Sequence, residues 1–257
     1  MTDPTPEGLA TADLTVRYGG VVANSAVSLT LRPREIVGLI GPNGAGKTSF
    51  VDAITGFTGS AGAVTLDGAD ITRLAPHRRR RAGLSRTWQS GELFGNMTVV
   101  ENVTAALRPG GFSTILTDLF GRRRNRIDPG VTEALRAVGL GDVGAVLARD
   151  LTLGQQKLVG VARALVGHCR ILLLDEPAAG LDSQESLDFA ERMRGIAASG
   201  PGILLIDHDI SLVLGVCDRI YVMEFGQIIF SGTPAEVRVD PAVIAAYLGA
   251  PREAADV

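Results

Sequence analysis

Gly41-Pro42-Asn43-Gly44-Ala45-Gly46-Lys47-Thr48 decides how this chain folds. The stretch fits G-x-x-x-x-G-K-[ST], a phosphate-cradling loop, and its flanks carry the reading further than the pattern alone. The apolar run Glu35-Ile36-Val37-Gly38-Leu39-Ile40 before it reads as a buried strand, and Thr48-Ser49-Phe50-Val51-Asp52-Ala53-Ile54 after it has helical spacing and is closed by Gly56. Strand, glycine loop and helix together are what the chemistry requires. Glycines at 41, 44 and 46 let the backbone turn sharply and aim its N–H groups inward. The helix start adds positive potential where a triphosphate would sit. Lys47 can reach the β- and γ-phosphates, the Thr48 hydroxyl can ligate Mg²⁺, and Ser49 follows in the same turn. The expected triphosphate-binding set is therefore Gly41, Pro42, Asn43, Gly44, Ala45, Gly46, Lys47, Thr48 and Ser49. The rival reading, a flexible glycine turn with a solvated lysine, leaves the flanking strand and helix without a purpose.

Bulk properties narrow the class. The 257 residues are 46% hydrophobic, enough for one large core or a core with a smaller lobe. A net charge of −3 gives no electrostatic support for general nucleic-acid binding. The two cysteines, Cys169 and Cys217, lack metal-ligand spacing and read as free thiols in a reducing compartment. No apolar run approaches the roughly 20 residues of a membrane helix. Met1 to Gly8 is polar, with Pro4 and Pro6, so the expectation is a cytoplasmic chain with flexible ends at 1–8 and 250–257.

Further elements follow in order. Leu14–Tyr18 and Val27–Leu31 alternate with period two, as half-buried strands do, around a turn at Gly19-Gly20. Tyr18 is either an ordinary sheet aromatic or a flat face for a base. Gly62–Gly68 is a short strand with a turn. Ala75-Pro76-His77 starts a helix carrying Arg78 to Arg81, expected to form a solvated face. Leu84–Gln89 is a strand running into a loop. Thr98 and Glu101 have capping-box spacing, and strand signals then vanish to about Asp150, as in a helical insertion between strands of the core sheet. A helix is expected over Gln156–Val166. Ile171-Leu172-Leu173-Leu174-Asp175-Glu176-Pro177 is a buried parallel strand delivering two acids at its C-terminal edge, which in a chain with this loop favours a Mg²⁺ and water site. Ile203-Leu204-Leu205-Ile206-Asp207-His208 is a second such strand, and its histidine, one of three, lies at the same sheet edge. A hairpin around Glu224-Phe225-Gly226 and helices from Thr233-Pro234 and Pro241 complete the chain.

The order Tyr18, Gly41–Thr48, Gln89, Leu151-Thr152-Leu153-Gly154-Gln155, Leu172–Pro177, Leu181-Asp182 and His208 resembles the ATP-binding-cassette ATPases over nearly the whole chain. Within them, Arg86-Thr87-Trp88-Gln89, Phe94–Val103, Glu176–Asp182 and Val243–Gly249 are similar to the ATPase subunits of branched-chain amino acid importers, a likeness shared by importers of urea, amides or small carboxylates. The resemblance implies an α/β P-loop NTPase of RecA-like core, a single domain over 9–249, with an N-terminal antiparallel β subdomain and a helical subdomain inserted at about 89–165. It also implies roles. Tyr18 would stack on adenine, Asp175 would hold Mg²⁺ with Thr48 and Gln89, and Glu176 would polarise the attacking water. Gln89 would relay the state of γ-phosphate and metal, and His208 would touch the γ-phosphate. Thr152, Gly154 and Gln155 would act on the ATP of a second ATPase subunit, itself or a paralogue, in a head-to-tail dimer. Membrane-spanning permease subunits would dock this dimer at the cytoplasmic face. One departure stands out: Leu153 replaces a glycine of the usual L-S-G-G-Q and excludes a positive φ there.

Two other function classes compete with a transporter motor. A soluble cassette protein acting on ribosomes or DNA usually carries tandem cassettes or coiled-coil insertions, whereas this chain has one cassette, no heptad run and an acidic balance. A regulator that binds ATP without hydrolysing it could dispense with Glu176.

Overall fold

A computed structural model describes residues 7–87, 93–107 and 127–248. Its centre is β3 (Ile36–Ile40), buried at every residue. It pairs in parallel with β8 (Gly202–Ile206) on one side and β9 (Arg219–Glu224) on the other. β7 (Ile171–Asp175) and β6 (Leu84–Arg86) extend the parallel sheet beyond β8, and β10 (Gln227–Gly232) closes the far edge antiparallel to β9. Near-continuous aliphatic runs at β3, β7 and β8 are what a sheet covered on both faces demands.

Alternation along those strands sorts the core into two clusters. Val37, Leu39, Leu173, Leu204 and Ile206 face one way, onto α1 (Lys47–Thr55) and a second sheet. That sheet is antiparallel, ordered β2-β1-β4-β5, from β1 (Leu9–Tyr18), β2 (Val21–Leu31), β4 (Ala61–Leu66) and β5 (Ala69–Asp70). Phe50 of α1 is fully buried between them, a burial contributing about 1.5–3 kcal/mol. Ile36, Ile40, Leu172, Leu174, Ile203 and Leu205 face the other way, onto helices. Between β6 and β7 come α3 (Val99–Leu107), α4 (Pro129–Ala137) and α5 (Leu153–Leu165). The other α-helices among the described residues are α2 (Pro76–Ala82), α6 (Ser183–Ser199), α7 (Ile210–Val216), α8 (Pro234–Val237) and α9 (Pro241–Leu248).

The structure corrects several sequence expectations. Strands β1 and β2 reach well beyond the alternating cores seen in sequence, since their ladder continues from Leu9↔Leu31 to Tyr18↔Val21 through irregular registers that break period two. At the N-terminal end, Gly8 is buried and its N–H donates to Asp67 Oδ1 at 2.9 Å, so the chain is fastened one residue before β1. Helix α5 begins earlier than its apolar spacing shows, because Thr152 and Gln155 form a capping box. The arginine run is not one solvated face. Arg79 is only 3% exposed and donates to the carbonyls of Ala53, Ile54, Thr72 and Leu74, while Arg80 donates to those of Ala164, Val166 and His168. A helix points successive side chains 100° apart, so four arginines in a row must face different neighbours. Here two of them satisfy carbonyls at the ends of α1 and α5, where the partial charge is negative.

Candidate active site

Three neighbouring strands of the parallel sheet end side by side. β3 delivers residues 41–48, β8 delivers Asp207 and His208, and β7 delivers Asp175 and Glu176. Open α/β sheets bind ligands along this carboxyl edge.

The phosphate-loop geometry follows from its glycines. Gly46, the N-cap of α1, has φ 101°, and a Cβ there would lie 2.5 Å from Ala23 O. Gly41 runs equally close, since a Cβ would meet Met223 O at 2.1 Å. No side chain caps α1, so its first N–H groups stay directed at the loop. Asn24 of β2, fully buried, donates from Nδ2 to Gly46 O at 3.1 Å and steadies the loop from behind. Sequence reading missed Asn24, because a lone asparagine in a strand carries no motif.

Lys47 Nζ donates to Gly41 O at 2.6 Å and Pro42 O at 3.1 Å. Burial pulls its ammonium below the ordinary lysine range, and the negative charges of Glu176 and Asp175 push the other way. The loop that carries Lys47 and the strand that carries both carboxylates end at the same edge of the sheet. Glu176 adopts φ 46°, a left-handed conformation rare outside glycine, while its N–H extends the ladder by donating to Ile206 O at 2.7 Å. Such backbone costs of order 1–3 kcal/mol and gathers where a side chain must be aimed. Next to it, His208 Nδ1 lies 3.8 Å from Glu176 Oε1 and 3.6 Å from Asp207 Oδ1. For a metal, Thr48 and Asp175 offer hard oxygens, the donor type Mg²⁺ prefers. Among the described residues no cluster of three or more His, Cys, Asp or Glu forms a metal cage.

Asp207 is 1% exposed, and burial pushes its carboxyl above the usual range despite the Asp209 N–H bonded to Oδ1 at 3.0 Å and the neighbouring His208. An acid whose folded pKa is raised stabilises the fold below its unfolded value, and this is lost as pH rises through the folded value. Asp207→Asn keeps the oxygen that Asp209 needs and removes the charge. Its unfolding midpoint should exceed the parent's at pH 8, with the gap closing near pH 4. A gap independent of pH would place the cost elsewhere.

Other expected residues fall in separate places. Tyr18 is 48% exposed at the end of β1, beside the Gly19-Gly20 turn, with a ring face available to solvent or a base. Thr152 Oγ1 accepts from Gln155 N at 3.2 Å, and Gln155 Oε1 accepts from Thr152 N at 3.1 Å, so both serve the start of α5 with Gly154 beside them. Leu153 is the first residue of that helix with no positive φ, which accommodates a bulky side chain. It leans against Gly180, where a Cβ would approach Leu153 Cδ2 to 3.1 Å. Gln89 lies outside the described residues, as does Trp88. Phe94 is half exposed, its ring 5.5 Å from the Arg163 guanidinium carbon, and its N–H donates to Asn102 Oδ1 at 2.9 Å. Buried Asn102 also donates to the carbonyls of Phe94, Met97 and Thr98, and so shapes the turn that presents Phe94.

The profile of the ABC transporter family matches residues 25–179, and that of the branched-chain amino acid ATP-binding cassette transporter matches 227–253. The chain is 42% identical to the high-affinity branched-chain amino acid transport ATP-binding protein LivG of Salmonella typhimurium, over 94% of this chain and 97% of the relative. It is 38% identical to BraF of Pseudomonas aeruginosa, named for the same transport, and 35% identical to the lipopolysaccharide export system ATP-binding protein LptB of Haemophilus influenzae, each at the same coverage. Among solved structures, a nucleotide-free ATP-binding cassette from an ABC transporter superposes with a TM-score of 0.82 at 30% identity, covering 95% of this chain and 99% of the other. An ADP conformation of such a cassette gives 0.83 at 29% identity, covering 95% and 100%. By profile, sequence identity over nearly its whole length and fold, the chain belongs to the ATP-binding-cassette family of ABC transporter ATPases.

Proposed function

We propose that this subunit hydrolyses ATP to drive uptake of branched-chain amino acids through membrane-spanning permease subunits, at the cytoplasmic face of the membrane. The observation that carries the hydrolytic reading is that β3, β8 and β7 lie side by side in the sheet and bring the Lys47 loop, His208 and the Asp175-Glu176 pair to one edge, with His208 Nδ1 3.8 Å from Glu176 Oε1. Residues 41–49 bind the triphosphate through backbone N–H groups and the Lys47 ammonium, and Tyr18 supports the adenine. Thr48 and Asp175, joined by Gln89, would hold Mg²⁺, which supplies charge neutralisation between phosphates. Glu176 orients and deprotonates the attacking water, and His208 holds the γ-phosphate side of the site. The burden is positioning and charge stabilisation rather than covalent chemistry. Thr152, Gly154 and Gln155, exposed or half-buried at the start of α5, complete the site of a second subunit in a head-to-tail dimer.

The solute reading rests on the C-terminal family match and on relatives named for branched-chain amino acid transport at 38–42% identity, against 34–35% for those named for lipopolysaccharide export. The acidic balance gives no support to a nucleic-acid partner. The test is affinity purification of this chain from its native membranes, beside a Phe94→Asp variant. The parent is expected to bring down permease subunits and, with them, a solute-binding protein that binds leucine, isoleucine or valine. Phe94→Asp should lose the permease while keeping basal ATP hydrolysis. A binding protein for urea or a carboxylate would reassign the solute, and permease retained by Phe94→Asp would move the docking surface.

A further inference from the structure

Arg86, at the end of β6, has no part in the hydrolytic mechanism so far, yet its side chain is only 7% exposed. Its guanidinium forks between two carboxylates: Nη1 to Asp52 Oδ1 at 2.5 Å and Nη2 to Asp175 Oδ2 at 2.8 Å. Asp52 sits on α1, the helix that leaves the phosphate loop, and Asp175 ends β7. One planar cation thus ties three elements together at the carboxylate assigned to the metal. Resting on that assignment, we infer that Arg86 is a positioning residue for Asp175. It commits Oδ2, which leaves Oδ1 as the oxygen turned over to the metal shell, and it fixes that oxygen relative to the helix bearing Thr48.

The physical case is that a carboxylate as enclosed as Asp175, with a side chain 7% exposed, needs a countercharge and a fixed rotamer. A metal shared with a substrate comes and goes, whereas Arg86 is covalently present throughout. Arginine suits the task because its rigid fork reaches two carboxylates at once, which a lysine ammonium cannot do with the same geometry. Asp52, at 30% exposure, is the more accessible arm and anchors the fork to α1.

The test uses the full chain and the β,γ-imido analogue of ATP, so no hydrolysis enters. Calorimetry gives its dissociation constant in Mg²⁺ and in EDTA, and the ratio of the two is the gain from the metal. Arg86→Met should leave the EDTA value unchanged and shrink the gain by about tenfold, the scale on which partners of metal ligands act. Arg86→Lys should restore part of it. A purely structural role would lower the unfolding temperature of Arg86→Met and leave the ratio alone, and that outcome overturns the inference. If Arg86→Met does not fold, Asp52→Asn removes one arm of the fork and should reduce the gain in the same direction; an unchanged ratio there overturns it too. A parent protein with no gain from Mg²⁺ would sink the metal reading of Asp175 itself, and this inference with it.

Discussion

ATP turnover by Lys47→Ala is expected to fall to the background without protein, even at saturating MgATP. Lys47 is half-buried, and its ammonium rests on two carbonyls, those of Gly41 and Pro42, at 2.6 and 3.1 Å. Both belong to the loop that would wrap the phosphates, so a short side-chain movement exchanges neutral acceptors for charged ones. Burial has already removed part of the ammonium's water, which strengthens the contact it makes with phosphate. A hydrogen bond to a charged group contributes about 1.5–3 kcal/mol, so ground-state affinity for MgATP should weaken by about 10- to 100-fold on the rule of tenfold per 1.4 kcal/mol. The loss in turnover should be larger, because charge develops on the transferring group as the bond breaks. Equilibrium binding and phosphate release on the same preparation separate the two effects. Circular dichroism excludes collapse of the loop, whose two carbonyls the variant leaves to water. Normal turnover at saturating nucleotide would remove Lys47 from the mechanism.

The site was legible wherever chemistry is written in consecutive residues. Gly41 to Thr48 and the acid-terminated strands at 171–176 and 203–208 announce themselves by composition, and parallel pairing of β3, β8 and β7 then brings their ends together. What sequence could not carry was the work of residues that act through distant partners. Asn24 holds Gly46 from a strand 22 positions away, and Arg86 reaches Asp175 across 89. Arg79 looks like any surface arginine, yet its carbonyl partners lie up to 26 residues off, on the end of α1. Asn102 differs in that its partners are near in sequence, yet a polar residue inside an apolar helix face carries no motif that announces its bonds to the carbonyls of Phe94 and Thr98. The departure at Leu153 also resolves only in three dimensions. The capping box makes position 153 ordinary helix, and the side chain finds room against Gly180. Local spacing thus reveals the groups proposed to touch substrate, while those proposed to position them depend on tertiary contacts that leave no periodic trace.

Glu176→Gln should bind MgATP and fail to turn it over. Glu176 follows the last residue of β7 in a left-handed conformation that turns the chain out of the sheet, beside His208 and within the field felt by Lys47. Glutamine keeps the shape and hydrogen-bonding capacity but not the basic carboxylate. Loss of a general base typically costs about 10²–10⁴-fold in rate, while the removed negative charge, if anything, eases the approach of a triphosphate. ATP that persists has a second consequence. If it is held between the phosphate loop of one subunit and the Thr152–Gln155 segment of another, then a nucleotide that is never consumed stabilises the dimer by mass action. Light scattering over a range of protein concentrations is the measurement. Glu176→Gln with MgATP should show a dimer, whereas ADP should leave a monomer. Adding Thr152→Arg should also leave a monomer, because the new charged side chain at the exposed start of α5 obstructs the facing site. A monomer with MgATP at every concentration, alongside abolished hydrolysis, would keep Glu176 as the base and remove the dimer. Hydrolysis by Glu176→Gln at the parent rate would show that another group activates the water, and the mechanism built on Glu176 as the base would fall.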